Sequence, residues 1–395
     1  MRLQARFLRR EGHEVTIVAP RRHGRAALRA GDHPELASSF VDLPSVPITL
    51  DREYGASWPG RRTDRRLDAA MRARPPVDVV HVQGDFWGAF LGLRFAARHR
   101  LPVVLTLHNN VEAGIRAVAP LPGLVLRVLN AWQRAALRPL PGTRPRGASG
   151  GAYLRGLASR ADAVVAPSAH FARLLEAAGV RGATVVRTGV DDDEVAALAR
   201  EGRRARGGDP VTLVWLGRFS AEKRPLEFLD AVGRAGGRAR VRLLGSGLQE
   251  ARARRLVAER GLGDRVRFEG GVPYPRALRA IAEADALVQT SIGFETQGMT
   301  VFEALALGTP VVVSDPEIAE ELGAGWGWPV AGPTVGDLAE ALALAVREIE
   351  SGAAPALDEA ARAAYLQSTQ TRAMIRLYER VLAPSQAGRG GETGA

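Results

Sequence analysis

Two carboxylates and the short step between them form the chemically most suggestive stretch of the chain, GFETQGMTVFEALALGTP at 293–310. Glu295 and Glu303 stand on either side of a Gly-Met-Thr step that predicts the beginning of a helix. The preceding apolar run ALVQTS predicts a buried strand that ends near Ser291, and Gly308 predicts the end of the helix. We therefore expect Glu295 in a loop at the carboxyl end of a strand and Glu303 within the helix.

The predicted helix start favours the binding of an anion. Free amides at Gly298, Met299 and Thr300 would point out of the helix with the positive end of its dipole, and Gly298 has no side chain to block a phosphate. Carboxylates beside such a site would hold hydroxyl groups. This arrangement suits a sugar nucleotide, with the diphosphate at the helix start, ribose on Glu303 and the transferred sugar on Glu295. The stretch alone leaves open that Glu303 is a surface charge and Glu295 a helix cap.

Two cations in WLGRFSAEKRPLEFLDAV are candidates for the same site. Arg218 ends a predicted strand, and Lys223 is predicted to start the following helix. Ligands of open α/β sheets bind outside the carboxyl ends of the strands, so both cations should reach the amides at 298–300 and stabilise a departing diphosphate. Lys223 is the single lysine among 54 basic residues. An ammonium and a guanidinium differ at a phosphate, which indicates a position that requires lysine.

Short β-branched runs alternate with helical stretches along the whole chain, which predicts an α/β protein with two Rossmann-like domains and parallel sheets. In the first half the predicted strands are HEVTIVAP (13–20), VDVVHVQG (77–84), PVVLTLHN (102–109), ADAVVAPS (161–168) and ATVVRTG (183–189). In the second half they are VTLVWLGR (211–218), RVRLLGSG (240–247), RVRFEGG (265–271), ALVQTS (286–291) and PVVVSD (310–315).

The polar, Gly-rich stretch AREGRRARGGDP at 199–210 is predicted to be the linker between the domains. We therefore predict an N-terminal domain at 1–204 and a C-terminal domain at 205–365. A helix at 366–383 is expected to pack back onto the N-terminal domain, and a disordered tail is expected at 384–395.

The first predicted helix, LQARFLRREGHEV, has no strand and Gly-rich turn before it. Such a strand is usually central in its sheet, and its omission would leave backbone groups of two neighbouring strands unpaired. We therefore expect that the given start lies downstream of the true one.

Composition excludes several classes of function. The chain has no cysteine, which excludes disulfides and thiolate chemistry. No apolar run reaches the length of a membrane-spanning helix, and a cytoplasmic protein is expected. The net charge is +11, but the arginines are scattered and no nucleic-acid motif is present, so a nucleic-acid partner is not expected. The triple aspartate at 191–193 is predicted to cap a helix, and no metal site is predicted.

The segment LPGLVLRVLNAWQRAALR at 121–138 predicts an amphipathic helix. Its arginines, at 127, 134 and 138, fall on one face, and Leu129, Trp132 and Ala136 fall opposite. Such a helix either lies on an anionic membrane or packs against its own domain, and both alternatives stay open.

The succession of GRFSAEKRP, GSGLQEA and SIGFETQGMTVFEALALGTPVV resembles the retaining GT-B glycosyltransferases of the large family four. The resemblance covers nearly the whole chain, because REGHEVTIVAP, VDVVHVQG, LTLHNN and SRADAVVAPS match the N-terminal domain of that family. It implies the GT-B fold, with two Rossmann-like domains whose parallel sheets face a central cleft. It also implies transfer of a hexose from a donor such as a UDP- or GDP-hexose to a hydroxyl of a lipid or glycan, with retention of configuration and without a metal or cofactor.

The resemblance extends to individual residues. The implied catalytic residues are His108, which would face the donor sugar, Arg218, Lys223 and Glu295. The implied substrate-binding residues are Gly217, Val272 at the base, Gln297, Gly298, Met299, Thr300, Val301 and Glu303 at the ribose. Two alternatives stay open, a GT-B sugar-nucleotide epimerase and a non-catalytic remnant of the fold. The lipid-modifying members of the family leave open a location on the inner face of the membrane.

Overall fold

The computed structural model describes residues 1–21, 39–47, 55–202, 207–323 and 325–389. They divide into two compact units. Unit 1 comprises Met1–Arg187 together with Thr371–Ala395, and unit 2 comprises Thr188–Gln370. Within the described ranges, no helix has the length and apolar character needed to cross a membrane.

Unit 1 combines parallel strands and one short antiparallel pair, Val46–Pro47 with Gly55–Ala56, with helices between them. Its strands are β1 (Ile17–Pro20), β2 (Phe40–Leu43), β3 (Val46–Pro47), β4 (Gly55–Ala56), β5 (Val80–Val82), β6 (Val103–Thr106), β7 (Ala163–Ala166) and β8 (Thr184–Val185). Its helices are α1 (Arg2–Arg10), α2 (Arg61–Arg72), α3 (Trp87–His99), α4 (Val111–Val118), α5 (Pro122–Ala136), α6 (Gly150–Ala158) and α7 (Ala169–Ala177). The predicted β-branched strand β6 is buried along its whole length, as expected for a central parallel strand.

The parallel sheet of unit 1 is interrupted. Strand β1 pairs with β2, and a separate sheet runs in the order β5-β6-β7-β8. Among the described residues, no strand pairs with the other edge of β1 or with the other edge of β5.

Unit 2 contains one continuous six-stranded sheet in the order β11-β10-β9-β12-β13-β14, with all neighbours parallel. Its strands are β9 (Thr212–Leu216), β10 (Arg240–Leu244), β11 (Val266–Gly270), β12 (Ala286–Gln289), β13 (Val311–Val313) and β14 (Gly327–Pro329). Its helices are α8 (Asp192–Glu201), α9 (Pro225–Ala235), α10 (Glu250–Glu259), α11 (Tyr274–Glu283), α12 (Met299–Ala306), α13 (Pro316–Leu322), α14 (Val335–Ser351) and α15 (Glu359–Ala363). All ten predicted strands of the chain are present, and β2, β3, β4 and β14 are additional.

The division between the units falls at 187/188 rather than at the predicted 204/205. Val190 forms a parallel bridge with Leu366, and the Gln367 amide donates to the Val190 carbonyl at 2.7 Å. These bonds fix the segment before α8 to unit 2. Helix α8 itself continues into the predicted linker as far as Glu201, and residues 203–206 lie outside the described residues.

The C-terminal helix α16 (Gln367–Arg389) leaves unit 2 at Gln370 and belongs to unit 1 from Thr371 onward. Met374 and Leu377 are buried in a cluster with Val104, and the Tyr378 hydroxyl lies 2.6 Å from His81 Nδ1 on β5. The helix also continues past the expected start of the disordered tail, because 384–389 are helical. Residues 390–395 lie outside the described residues.

Candidate active site

Lys223 lies in the loop after β9, and hydrogen bonds connect its backbone to the core of unit 2. Lys223 ends a 3₁₀ turn, Ala221–Lys223, so it precedes α9 instead of starting it as predicted. The Thr290 hydroxyl donates to the Lys223 carbonyl at 2.5 Å, and the indole N–H of Trp215 donates to Thr290 Oγ1 at 2.9 Å. Trp215 is a fully buried residue of β9. The backbone of Lys223 is therefore tied to the interior of the sheet.

The ammonium of Lys223 forms an ion pair with Glu295. Lys223 Nζ donates to Glu295 Oε1, and the Ser291 hydroxyl donates to the same oxygen at 2.7 Å. The Lys223 side chain is 26% exposed and that of Glu295 16% exposed, so solvent and ligands reach both groups. Lys223 therefore lies beside the loop before α12, while its predicted contact with a diphosphate at 298–300 stays a prediction.

Helix α12 begins where the sequence predicted. Gly298 is its N-cap with φ +79°, and Gly308 follows its last turn with φ +73°. At the helix start, Met299 and Thr300 present N–H groups that have no acceptor within the helix. Val301 was also predicted to contact the substrate. Its amide donates to the Gly298 carbonyl at 3.0 Å, and its side chain is fully buried. The side chain of Val301 thus packs in the core of unit 2.

The side chain of Gln297 has a structural role. Its Oε1 accepts from the Thr188 amide at 2.9 Å, and its Nε2 donates to the Thr188 carbonyl at 2.9 Å. With only 4% of the residue exposed, this side chain fastens the start of unit 2 to the loop before α12. Only the backbone of Gln297 remains for the predicted contact with the donor.

Glu303 lies inside unit 2, not on a surface face of α12. Only 7% of the residue is exposed, and burial raises the pKa of its carboxyl to about 7. The Tyr274 hydroxyl forms a hydrogen bond with this carboxyl, which lowers the pKa in part. Tyr274 begins α11, and burial together with the Glu303 and Asp191 charges raises the pKa of its phenol.

Tyr274 was not among the residues predicted for the site. The available signal was its position directly after β11, since side chains at the carboxyl ends of parallel strands face the ligand site. Tyr274 is 41% exposed, so a ligand can reach this residue.

The remaining predicted residues of unit 2 lie on neighbouring loops. Val272 is half-buried between β11 and α11, in contact with the apolar cluster beneath α12. Gly217 follows β9, and its amide donates to the Leu244 carbonyl at 3.0 Å. Arg218 is exposed, and in the described ranges its side chain forms no ion pair. The ammonium and not the guanidinium is thus the cation that is paired at the loop before α12.

His108 of unit 1 stands beside a buried carboxylate that the sequence analysis missed. Asp85 is 1% exposed, and burial raises its pKa to about 6. It accepts hydrogen bonds from the His108 amide at 3.2 Å and from the Asn109 side chain at 2.5 Å, while the Tyr153 hydroxyl donates to its carbonyl at 2.6 Å. These bonds hold the turn after β6. Burial lowers the pKa of the His108 imidazole to about 4, so the ring is neutral at physiological pH.

The triple aspartate caps a helix, as predicted. Asp191 Oδ1 accepts from the Asp193 amide at 3.1 Å at the start of α8. The described ranges contain no group of three or more histidine or carboxylate side chains that could hold a metal ion.

The buried carboxyl of Glu303 makes the stability of unit 2 dependent on pH. A pKa raised from 4.5 to about 7 means that the folded state is most stable below about pH 4.5 and loses stability as the pH rises to about 7. The full loss is on the order of 3 kcal/mol. We expect Glu303→Gln to be more stable than the wild type at pH 8 and nearly equal at pH 4.5, measured by urea denaturation.

Glu259→Gln is the matched control, because Glu259 is exposed on α10. Its stability should follow the wild type at both pH values. A Glu303→Gln protein that gains nothing at pH 8 would contradict the buried, ionised carboxylate.

Comparison with known proteins identifies the family. The model of Glycosyltransferase Family 4 matches residues 1–194, and that of Glycosyl transferases group 1 matches residues 200–363. Phosphatidyl-myo-inositol mannosyltransferase of Mycobacterium tuberculosis is 30% identical over 79% of this chain and 71% of its own length. The chain is a member of the family-four GT-B glycosyltransferases.

Other matches agree with this family and its fold. The 2-deoxystreptamine glucosyltransferase of Streptomyces kanamyceticus is 28% identical over 61% of this chain, which spans 60% of that relative's length. The solved structure of a sucrose-phosphate synthase from Thermosynechococcus elongatus matches with a TM-score of 0.64 at 18% identity, over 97% of this chain and 92% of that one. The GT-B fold class is thereby confirmed. The relatives carry transferase names, so the epimerase alternative has no support.

Proposed function

We propose that this family-four protein transfers a hexose from a nucleotide-diphosphate sugar to an acceptor hydroxyl, with retention of configuration. The observation that carries the proposal is the ion pair of Lys223 with Glu295, directly before the N-terminus of α12. A cation and a positively polarised helix start provide a site for a diphosphate, while carboxylates on both sides provide acceptors for hydroxyl groups. The presence of the Lys223–Glu295 pair also argues against a non-catalytic remnant of the fold.

Each group has a proposed role. The amides at Gly298–Thr300 and the ammonium of Lys223 bind the diphosphate, with the exposed Arg218 as a second cation. Glu303, oriented by Tyr274, accepts from the ribose hydroxyls. Glu295 accepts from the hydroxyls of the transferred hexose, and the neutral imidazole of His108 contacts that hexose, as the family resemblance implies.

The reaction breaks the bond between the anomeric carbon and the diphosphate oxygen. A bond from the acceptor oxygen to the anomeric carbon forms on the same face of the sugar, and the acceptor proton passes to the leaving diphosphate. Lys223 stabilises the negative charge that develops on the diphosphate, which is the electrostatic contribution that often dominates catalysis. No carboxylate pair of the hydrolase kind is required for this route.

The acceptor that we propose is the head group of a membrane lipid. The mycobacterial relative is named for a phosphatidyl-myo-inositol acceptor, and this chain spans more of that relative than of the 2-deoxystreptamine glucosyltransferase. The net charge of +11 favours an anionic lipid over an amine-bearing acceptor, which a basic surface would repel.

A panel of UDP-, GDP- and ADP-hexoses tests the donor side. We expect one nucleotide class to raise the melting temperature, and the same donor to release nucleoside diphosphate when anionic lipid is added. The anomeric configuration of the product, read by NMR, should equal that of the donor. An inverted product would exclude the retaining route, and no response to any nucleotide sugar would exclude the proposed function.

A further inference from the structure

The outward side of α5 exposes an unusual number of large apolar side chains. Leu121 is 63% exposed, Leu124 55%, Val125 40% and Val128 60%. Next to them, Trp58 is 72% exposed and stacks on Trp132 of α5, with ring centroids 5.3 Å apart. We call these five residues, Trp58, Leu121, Leu124, Val125 and Val128, the α5 surface. They are five of the twelve large apolar residues that are exposed in the described ranges.

The opposite side of α5 already anchors the helix in unit 1. Leu126 is fully buried, and Leu129 and Ala136 are 9% and 8% exposed. Asn130 Nδ2 donates to the Gly147 carbonyl at 3.0 Å. The helix therefore packs against its own domain through Leu129 and Ala136, which were predicted to lie opposite the arginines, and also through Leu126. In the described part of unit 1, the α5 surface is additional apolar area that stays exposed.

The chain around α5 is basic. From Ala113 to Ala161 there are eight arginines and no acidic residue in 49 positions. At 100° per residue, Arg127 and Arg134 fall on one flank of the apolar stripe that contains Leu124 and Val128, and Arg138 follows two residues after the end of the helix. The guanidinium of Arg134 donates to the Pro145 carbonyl at 2.6 Å, whereas Arg127 and Arg138 are exposed.

We propose that the α5 surface docks the protein on an anionic phospholipid bilayer. A helix in the plane of a membrane interface buries apolar side chains among the acyl chains while cationic side chains contact the head groups. An exposed tryptophan at the rim suits the same interface. Arginines flanking the surface, without acidic residues nearby in the chain, match the negative potential of such a bilayer. The inference deepens the proposed function, because it names the surface that meets the lipid acceptor.

Flotation of the full-length protein with vesicles tests the surface. We expect binding to vesicles of about 30% phosphatidylglycerol in phosphatidylcholine, with at least tenfold weaker binding to phosphatidylcholine alone and weaker binding at high salt. The double variant Leu124→Asp/Val128→Asp should bind anionic vesicles at least tenfold more weakly. Arg127→Glu/Arg138→Glu should lose the preference for phosphatidylglycerol while keeping the melting temperature of the wild type.

Two matched controls separate this surface from general effects. Leu174→Asp changes a 38% exposed leucine on α7 of the same unit, and Arg252→Glu reverses an exposed charge on α10 of unit 2. Both should bind vesicles like the wild type. Equal vesicle binding by the Leu124→Asp/Val128→Asp variant and the wild type would overturn the proposal. The same holds if the variant instead abolishes a dimer of the wild type, because the α5 surface would then be an interface between copies.

The failure of the docking proposal is distinguishable from failure of the proposed function. The thermal response to the donor depends on unit 2 and should persist in the α5 variants. Loss of vesicle binding with an intact donor response supports the docking surface, whereas a wild type without any donor response contradicts the transferase and leaves the docking result standing.

Discussion

Replacing Lys223 with Ala is expected to lower turnover about 100- to 1000-fold, the range found when one group that stabilises a developing negative charge is removed. The ammonium is the cation paired with Glu295 at the loop before α12. Without it, the negative charge that develops on the diphosphate is opposed only by helix amides and the exposed Arg218. The measurement is the release of nucleoside diphosphate under saturating donor and acceptor.

Stability should change little in this variant. Lys223 is partly exposed, and Glu295 keeps its hydrogen bond from Ser291. Lys223→Arg separates charge from shape, because a planar guanidinium does not reproduce the point charge of an ammonium. We expect that variant to recover only part of the activity. Arg234→Ala, which removes an exposed cation paired with Asp230 on α9, is the control and should retain full turnover. Undiminished turnover in Lys223→Ala would refute the catalytic role.

Gly245→Ala is expected to destabilise unit 2 by about 3 kcal/mol or more, since it combines a steric clash with backbone strain. Gly245 has φ +131°, and a Cβ there would lie 1.9 Å from the carbonyl oxygen of Gly217. The Gly217 carbonyl belongs to the backbone and cannot rotate away as a flexible side chain can. The loop from Gly217 to Lys223 would therefore have to move. Urea denaturation measures the loss of stability, and thermal shift with the donor measures the loss of binding.

Gly233→Ala provides the opposite case within the same unit. Gly233 lies in α9, and a Cβ there would meet no atom closer than 3.9 Å. Alanine in a helix interior is more favourable than glycine by up to about 1 kcal/mol, so this variant should be as stable as the wild type or more stable. If Gly245→Ala unfolds at the same urea concentration as Gly233→Ala, the close approach of the two loops is not required.

The sequence predicted those features that local pattern controls. The ten predicted strands are all present, because β-branched runs between helical stretches specify buried parallel strands without reference to distant residues. The start of α12 at Met299 was predictable because Gly298 and the end of strand β12 lie close before it in the chain. A general rule of open α/β sheets places Lys223, which follows β9, near the loop after the neighbouring strand β12, but its ion pair with Glu295 was not predicted.

Features that depend on distant partners were not predictable in this way. The side chain of Gln297 forms a hydrogen bond with the backbone of Thr188, 109 residues away in the chain. No periodicity in the sequence indicates this bond. The unit boundary at 187/188 depends on the bridge of Val190 with Leu366, which likewise joins remote segments. Asp85 resembles any carboxylate in a loop until the fold places the amide of His108 and the side chain of Asn109 around it.

The single lysine has a practical consequence for chemistry in solution. An amine-directed acylating reagent has one side-chain target in the whole protein, at the residue that pairs with Glu295. Mass spectrometry of the modified peptide would therefore report the accessibility of that one nitrogen without any engineered label. Protection of the nitrogen by a nucleotide sugar would give a footprint of donor occupancy even in a crude mixture of candidate sugars.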